Sequence, residues 1–118
     1  KAEHKWWKKD GHATAMLTLK GPDATRAACV RCHATQRNYG LNAGKEVADY
    51  AAEVGGVGCA SCHGPGGAHI ADPKAGNIVG LGESCPECVI EAVCTSCHTP
   101  KWDPDWQLEP RLQAAKHP

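Results

Sequence analysis

The sequence predicts a mostly α, irregular fold of short helices and long turns, with little or no sheet and an interior not filled by its own side chains. Three observations predict it. Only 16 of the 118 residues are Leu, Ile or Val, and none is Phe. Those four types make up roughly 14% of the chain, below the roughly 20% under which disorder is the usual expectation. The large net charge that accompanies disorder is missing, because 13 basic residues cancel 13 acidic ones. All eight cysteines fall in pairs of one spacing. A chain of this length ordinarily buries a core unaided, so something else has to fill the interior. The cysteines and seven histidines are the handles for it.

The elements follow in chain order within one expected domain, 1–118. Residues 1–10 are polar and no apolar stretch follows, so the chain reads as a mature one without a signal peptide. Trp6, Trp7, His12 and Met16 lie in a stretch ending in Leu17 and Leu19, and Gly11 marks a break or a close approach to a ring. After Gly21-Pro22, Asp23 is placed to cap a helix over 24–33. Val47, Tyr50, Ala51 and Val54 have helical spacing over 45–54, stopped by Gly55-Gly56. Gly64-Pro65-Gly66-Gly67 is too broken to be helical. Ser84 and Glu87 form a capping box with Pro86 in the first turn, opening a helix that runs to about residue 98. A last helix over 110–116 delivers His117. No strand pattern of useful length occurs. No run of 18 apolar residues exists to span a membrane, and no basic stripe is present to neutralise nucleic-acid phosphates.

Each cysteine belongs to a C-x-x-C pair: Cys29/Cys32, Cys59/Cys62, Cys85/Cys88 and Cys94/Cys97. Three pairs are followed at once by histidine, giving CVRCH, CASCH and CTSCH with His33, His63 and His98. C-x-x-C-H is the attachment signature of c-type haem. Two thiols one helical turn apart add to the two vinyl groups on one porphyrin edge, and the next residue brings its imidazole under the iron. A zinc half-site or a redox dithiol also uses C-x-x-C, but neither requires histidine after three pairs. The expectation is three covalent haems, held by Cys29, Cys32, Cys59, Cys62, Cys94 and Cys97, with the fold organised around them. Cys85-Pro86-Glu87-Cys88 lacks the histidine, and three readings compete. These are a local disulfide, favoured in the compartment where haem c is assembled, a four-cysteine zinc site with Cys94 and Cys97, and an unconventional haem site.

Three histidines serve as proximal ligands, which leaves His4, His12, His69 and His117 for three sixth positions. A lone histidine is more often a surface residue, but four beyond three haem motifs exceed what composition suggests. Met16 is the one methionine, so at most one haem is His/Met ligated and bis-histidine, low-potential haems are expected. His69 follows His63 too closely to fold back over the same ring, and is expected on a neighbouring haem. His117 would pin a terminus that otherwise frays, or reach into another subunit.

The order of these motifs resembles the tetrahaem cytochrome c-554 family. The resemblance runs through Trp7-Lys8-Lys9-Asp10-Gly11-His12-Ala13 with Met16 and Leu19, then Cys29 to His33. It continues through Val57-Gly58-Cys59-Ala60-Ser61-Cys62-His63-Gly64-Pro65-Gly66 with His69, and then Cys94 to His98. It implies electron transfer, bis-histidine ligation with His12 and His69 as distal ligands, and haems stacked in close pairs. In that family a haem motif precedes the W-x-x-x-x-H segment, so this chain looks like a member lacking the first haem. The family also includes members with a five-coordinate haem at the site matching Cys29 to His33.

One haem per roughly 39 residues is too dense for insulation, so the expected function is a relay with redox partner proteins at its ends. Haem propionates make the loaded protein acidic, and a basic partner or a bridging cation such as Ca²⁺ follows. His4 and His117 near the two ends suit a second version, polymerisation into an extracellular conducting cytochrome filament. The rival from another class is a haem enzyme acting on a small nitrogen or oxygen species at a five-coordinate haem. No surplus acid or base stands beside any motif, so a non-enzymatic role is expected. Haem c is attached outside the cytoplasmic membrane, which places the protein in the periplasm or outside the cell.

Overall fold

The computed structural model describes residues 2–35, 56–81 and 85–117. Its helices are α1 (Ala2–Trp7), α2 (Ala27–His33), α3 (Ala60–His63), α4 (Gly67–Ala71), α5 (Glu87–Thr95) and α6 (Leu108–Ala115). Single-bonded 3₁₀ segments cover Gly11–Thr18, Gly21–Ala24 and Ala75–Asn77. Among the described residues there is no strand, and no helix is long and apolar enough to cross a membrane. The mostly helical, sheet-poor expectation holds. The helix expected over 45–54 lies outside the described residues, as does Ser84 of the expected capping box.

Element boundaries differ where proline and local ion pairs intervene. The helix expected over 24–33 starts at Ala27, with Arg26 at its N-cap and no side-chain cap. Pro22 sets φ for the 3₁₀ turn Gly21–Ala24, and Asp23 pairs with Arg26 at 3.0 Å instead of capping. Pro86 is extended (φ −58°, ψ 135°), so α5 begins at Glu87. Its last turns reach the third motif through Cys97 N–H and His98 N–H, both donating to Cys94 O at 3.2 and 3.0 Å. α6 begins two residues before the expected 110, with Pro110 in the first turn, where helical N–H groups lack partners anyway. The break after His63 is as expected, with Gly64 at φ +72°. Helix resumes at Gly67 and carries His69. α1 had no signal of its own in the sequence, since its six residues are too few to show a period.

Segments distant in sequence are stitched together around residues 56–58. The Trp7 indole N–H donates to Val57 O at 2.7 Å, and Val57 N–H donates to His12 O at 2.8 Å. Thr35, only 4% exposed, donates from its N–H and its hydroxyl to Gly56 O, each at 3.0 Å. Its hydroxyl oxygen in turn accepts from Gly58 N–H. This network holds the ends of the first and second motifs against the His12 segment. It requires glycine at 56, because a Cβ there would stand 2.6 Å from His12 O and closer still to Ala13 O. Backbone cannot give way as a side chain does. Gly56→Ala is expected to cost the haem-loaded protein about 1–3 kcal/mol, read as a lower denaturant midpoint. An unchanged midpoint would contradict the close approach.

Side-chain core is scarce among the described residues. The buried apolar residues are Val30, Ala34 and Ile90, with Met16 and Leu19 packed against the first two. Ile70 is 81% exposed and Leu17 68%.

Candidate haem-binding sites

The first motif closes α2, the second forms α3 with Cys59 at its N-cap, and the third starts in the last turn of α5 and runs into the turn beyond it, so in each the two cysteines lie about one turn apart and the histidine follows directly. The three histidine rings are held in the same chemical manner. His33 Nδ1–H donates to Ala15 O at 2.9 Å and also approaches the Thr18 hydroxyl at 3.1 Å. His63 Nδ1–H donates to Val79 O at 2.6 Å. His98 Nδ1 bonds Asp103 Oδ2 at 2.8 Å. Engaging Nδ1 fixes the tautomer and leaves Nε2 as the lone-pair donor, the arrangement that orients an imidazole ligand.

Two of the additional histidines are held likewise. Asp10 caps the Gly11–Thr18 segment and accepts from His12 N–H at 2.9 Å, and the same oxygen lies 2.8 Å from His12 Nδ1. His69 Nδ1–H is shared between Lys74 O and Asn77 Oδ1, each at 3.0 Å. The Asn77 amide donates to Ala68 O and Asp72 O, which settles its orientation.

The fold brings some of these rings together edge to face. His12 and His98 have centroids 6.1 Å apart with planes at 80°, and His63 and His117 lie 5.8 Å apart at 68°. In each pair the two imidazoles are near enough that both could serve one bound iron. His4 instead stacks on Trp7 at 5.7 Å, and Trp6 leans on His117 at 5.5 Å. Trp106 stacks on His98 at 6.3 Å. Among the ring contacts of the described residues, none sets a histidine opposite His33, and the ring contacts do not pair His69 with a proximal histidine. Met16 is engaged in the Val30–Ala34 cluster.

The cysteines of different motifs also converge. The Cys97 thiol is pushed up to about 11 by burial and by its hydrogen bond with the Cys32 thiol. Burial, then the neighbouring Cys94 and Cys59 thiols, raise Cys62, and burial likewise raises Cys94. Cys62 has exposed surface yet is crowded by surrounding chain, as a sulfur bordering a recess would be. Among the described residues no three His, Cys, Asp or Glu side chains cluster as a bare metal ion would need. The four-cysteine zinc alternative is thus not assembled. Cys85 and Cys88 flank the start of α5.

Asp103, Asn77 and the carbonyls of Ala15 and Val79 position these histidines, and sequence reasoning did not single them out. Asp10 was readable as a helix cap two residues before His12. The carbonyls had no signal, because every residue has one. An open recess of about 310 Å³ beside His63 is walled by Pro65, Gly76, Asn77, Ile78 and Val79, leaving room along the ring that Val79 orients.

Short helices carrying C-x-x-C-H, few buried side chains and histidines held through Nδ1 are the features of a c-type cytochrome. The family model described as cytochrome c554 and c-prime matches residues 1–64, more than half of the chain, and the chain belongs to that family. Cytochrome c-554 of Nitrosomonas europaea is 29% identical over 126 residues, covering 83% of this chain and 52% of that protein. The chain therefore spans about half the length of this curated relative. No solved structure matches the chain.

Proposed function

We propose that this chain is a three-haem electron relay, with two irons held by the pairs His98/His12 and His63/His117. The observation that carries the reading is the meeting of the three motifs, with Cys32 against Cys97 and Cys62 beside Cys94. When bound, the haems supply the electron-carrying centres. The chain's own work is to fix their spacing through these sulfurs, to orient the axial imidazoles through Nδ1, and to leave the third motif between the other two. His117 facing His63 within one chain supports a relay complete in a single molecule over a filament built by exchanging that histidine. Covalent attachment assigns the protein to the periplasm or the cell exterior. We also read Cys85 and Cys88 as a local disulfide.

Mass spectrometry with a haem assay tests the composition. The expected product is the peptide plus three haems, lighter by two hydrogen atoms for the disulfide. Two haems, or a fourth at Cys85 and Cys88, would overturn the composition. A second reading is favoured by one observation, the lack of a ring opposite His33 among the described residues. A five-coordinate iron there would accept a small nitrogen or oxygen species and allow catalysis. Electron paramagnetic resonance of the oxidised protein with added NO separates the two. A high-spin component that binds NO and reduces it in turnover supports the enzyme, and a spectrum unaffected by NO supports the relay alone.

A further inference from the structure

We infer that Asp103 and Asp10, acting through His98 and His12, make the centre at the third motif the lowest in potential of the three. The inference rests on the relay reading and on its His98/His12 pair. His33 and His63 lean on backbone carbonyls of Ala15 and Val79, which are neutral acceptors. His98 Nδ1–H instead donates to the Asp103 carboxylate at 2.8 Å, and the Asp10 oxygen that accepts from His12 N–H lies 2.8 Å from His12 Nδ1. A carboxylate accepting from Nδ1–H draws the proton toward itself and makes the imidazole a stronger electron donor at Nε2. A stronger donor favours the ferric over the ferrous state, and the charge beside an axial ligand is one of the levers by which a protein sets a haem potential. A carboxylate beside Nδ1 of each ring, hydrogen-bonded in His98 and adjacent in His12, sets this site apart from the other two.

The carboxylates are well placed for the task. Asp103 is held in a turn by its N–H bond to Thr99 O at 2.8 Å, and its side chain is 22% exposed. Trp106 covers the other side of the His98 ring. Arg111 stands 3.6 Å from the second Asp103 oxygen and tempers the carboxylate's charge. Asp103 and Asp10 are thus positioning residues with an electronic effect, and Arg111 moderates one of them.

Spectroelectrochemical titration of the haem-loaded protein tests this. In D103N the amide oxygen can still accept from Nδ1–H, so the ring stays in place while the charge goes. The lowest of the three transitions should move to higher potential and the other two should stay. D10N should move the same transition in the same direction, and R111Q should move it the opposite way. Unmoved transitions in D103N and D10N, with the site still low-spin, would overturn the inference. So would a high-spin third site in D103N, which would make Asp103 a holder of the ring only. If D103N does not accumulate, D10N and R111Q still decide. A wild-type haem count other than three would instead count against the relay reading.

Discussion

Apoprotein made without haem attachment is expected to show no cooperative thermal transition. Among the described residues the apolar interior is Val30, Ala34 and Ile90, while Ile70 and Leu17 stand exposed. Ordering the backbone costs on the order of 1–2 kcal/mol per residue, which so small a core does not offset, and hydrogen bonds such as Trp7 to Val57 O add only about 1 kcal/mol each. Calorimetry of protein expressed without haem attachment checks this. A sharp endotherm would mean that the chain packs a core of its own.

Replacing His117 is expected to have the second largest effect, confined to one haem. In the proposed pairing its ring faces His63 at 5.8 Å, so H117M exchanges a His/His for a His/Met axial set. Methionine in that position raises the potential, and a rise on the order of 0.1–0.2 V is modest within the roughly 0.8 V that axial ligands span. H117A should instead leave that site five-coordinate, high-spin and open to cyanide. The transition belonging to His98 should stay where it was in both variants. A spectrum and titration identical to wild type would remove His117 from the iron.

The sequence made the attachment chemistry legible because it is local: two thiols and an imidazole within five residues carry their own geometry. The sheet-poor fold was legible for the same reason, since Gly64-Pro65-Gly66 and the sparse Leu, Ile and Val leave no long period to read. The pairing of His12 with His98 and of His63 with His117 was not legible. Each joins segments more than 50 residues apart, and only tertiary packing decides which rings meet. Helix starts were misjudged at Asp23 and Pro110, where an ion pair with Arg26 and first-turn tolerance of proline outweighed the simple signals. The carboxylate behind His98 sits five residues on, across an irregular turn, at a spacing that belongs to no repeating element. The resemblance to the cytochrome c-554 family implied both His12 and His69 as distal ligands. In the structure His69 is oriented by Asn77 and Lys74 without an opposing proximal ring among the described ring contacts.

Three haems held within one chain, two of them by histidine pairs, are decided by a crystal structure of the haem-loaded protein. It should show one iron between Nε2 of His98 and His12, another between Nε2 of His63 and His117, and the thioether sulfurs of Cys32 and Cys97 side by side. An iron at either motif with its sixth position filled from a neighbouring molecule, or His12 and His117 both away from iron, would contradict it.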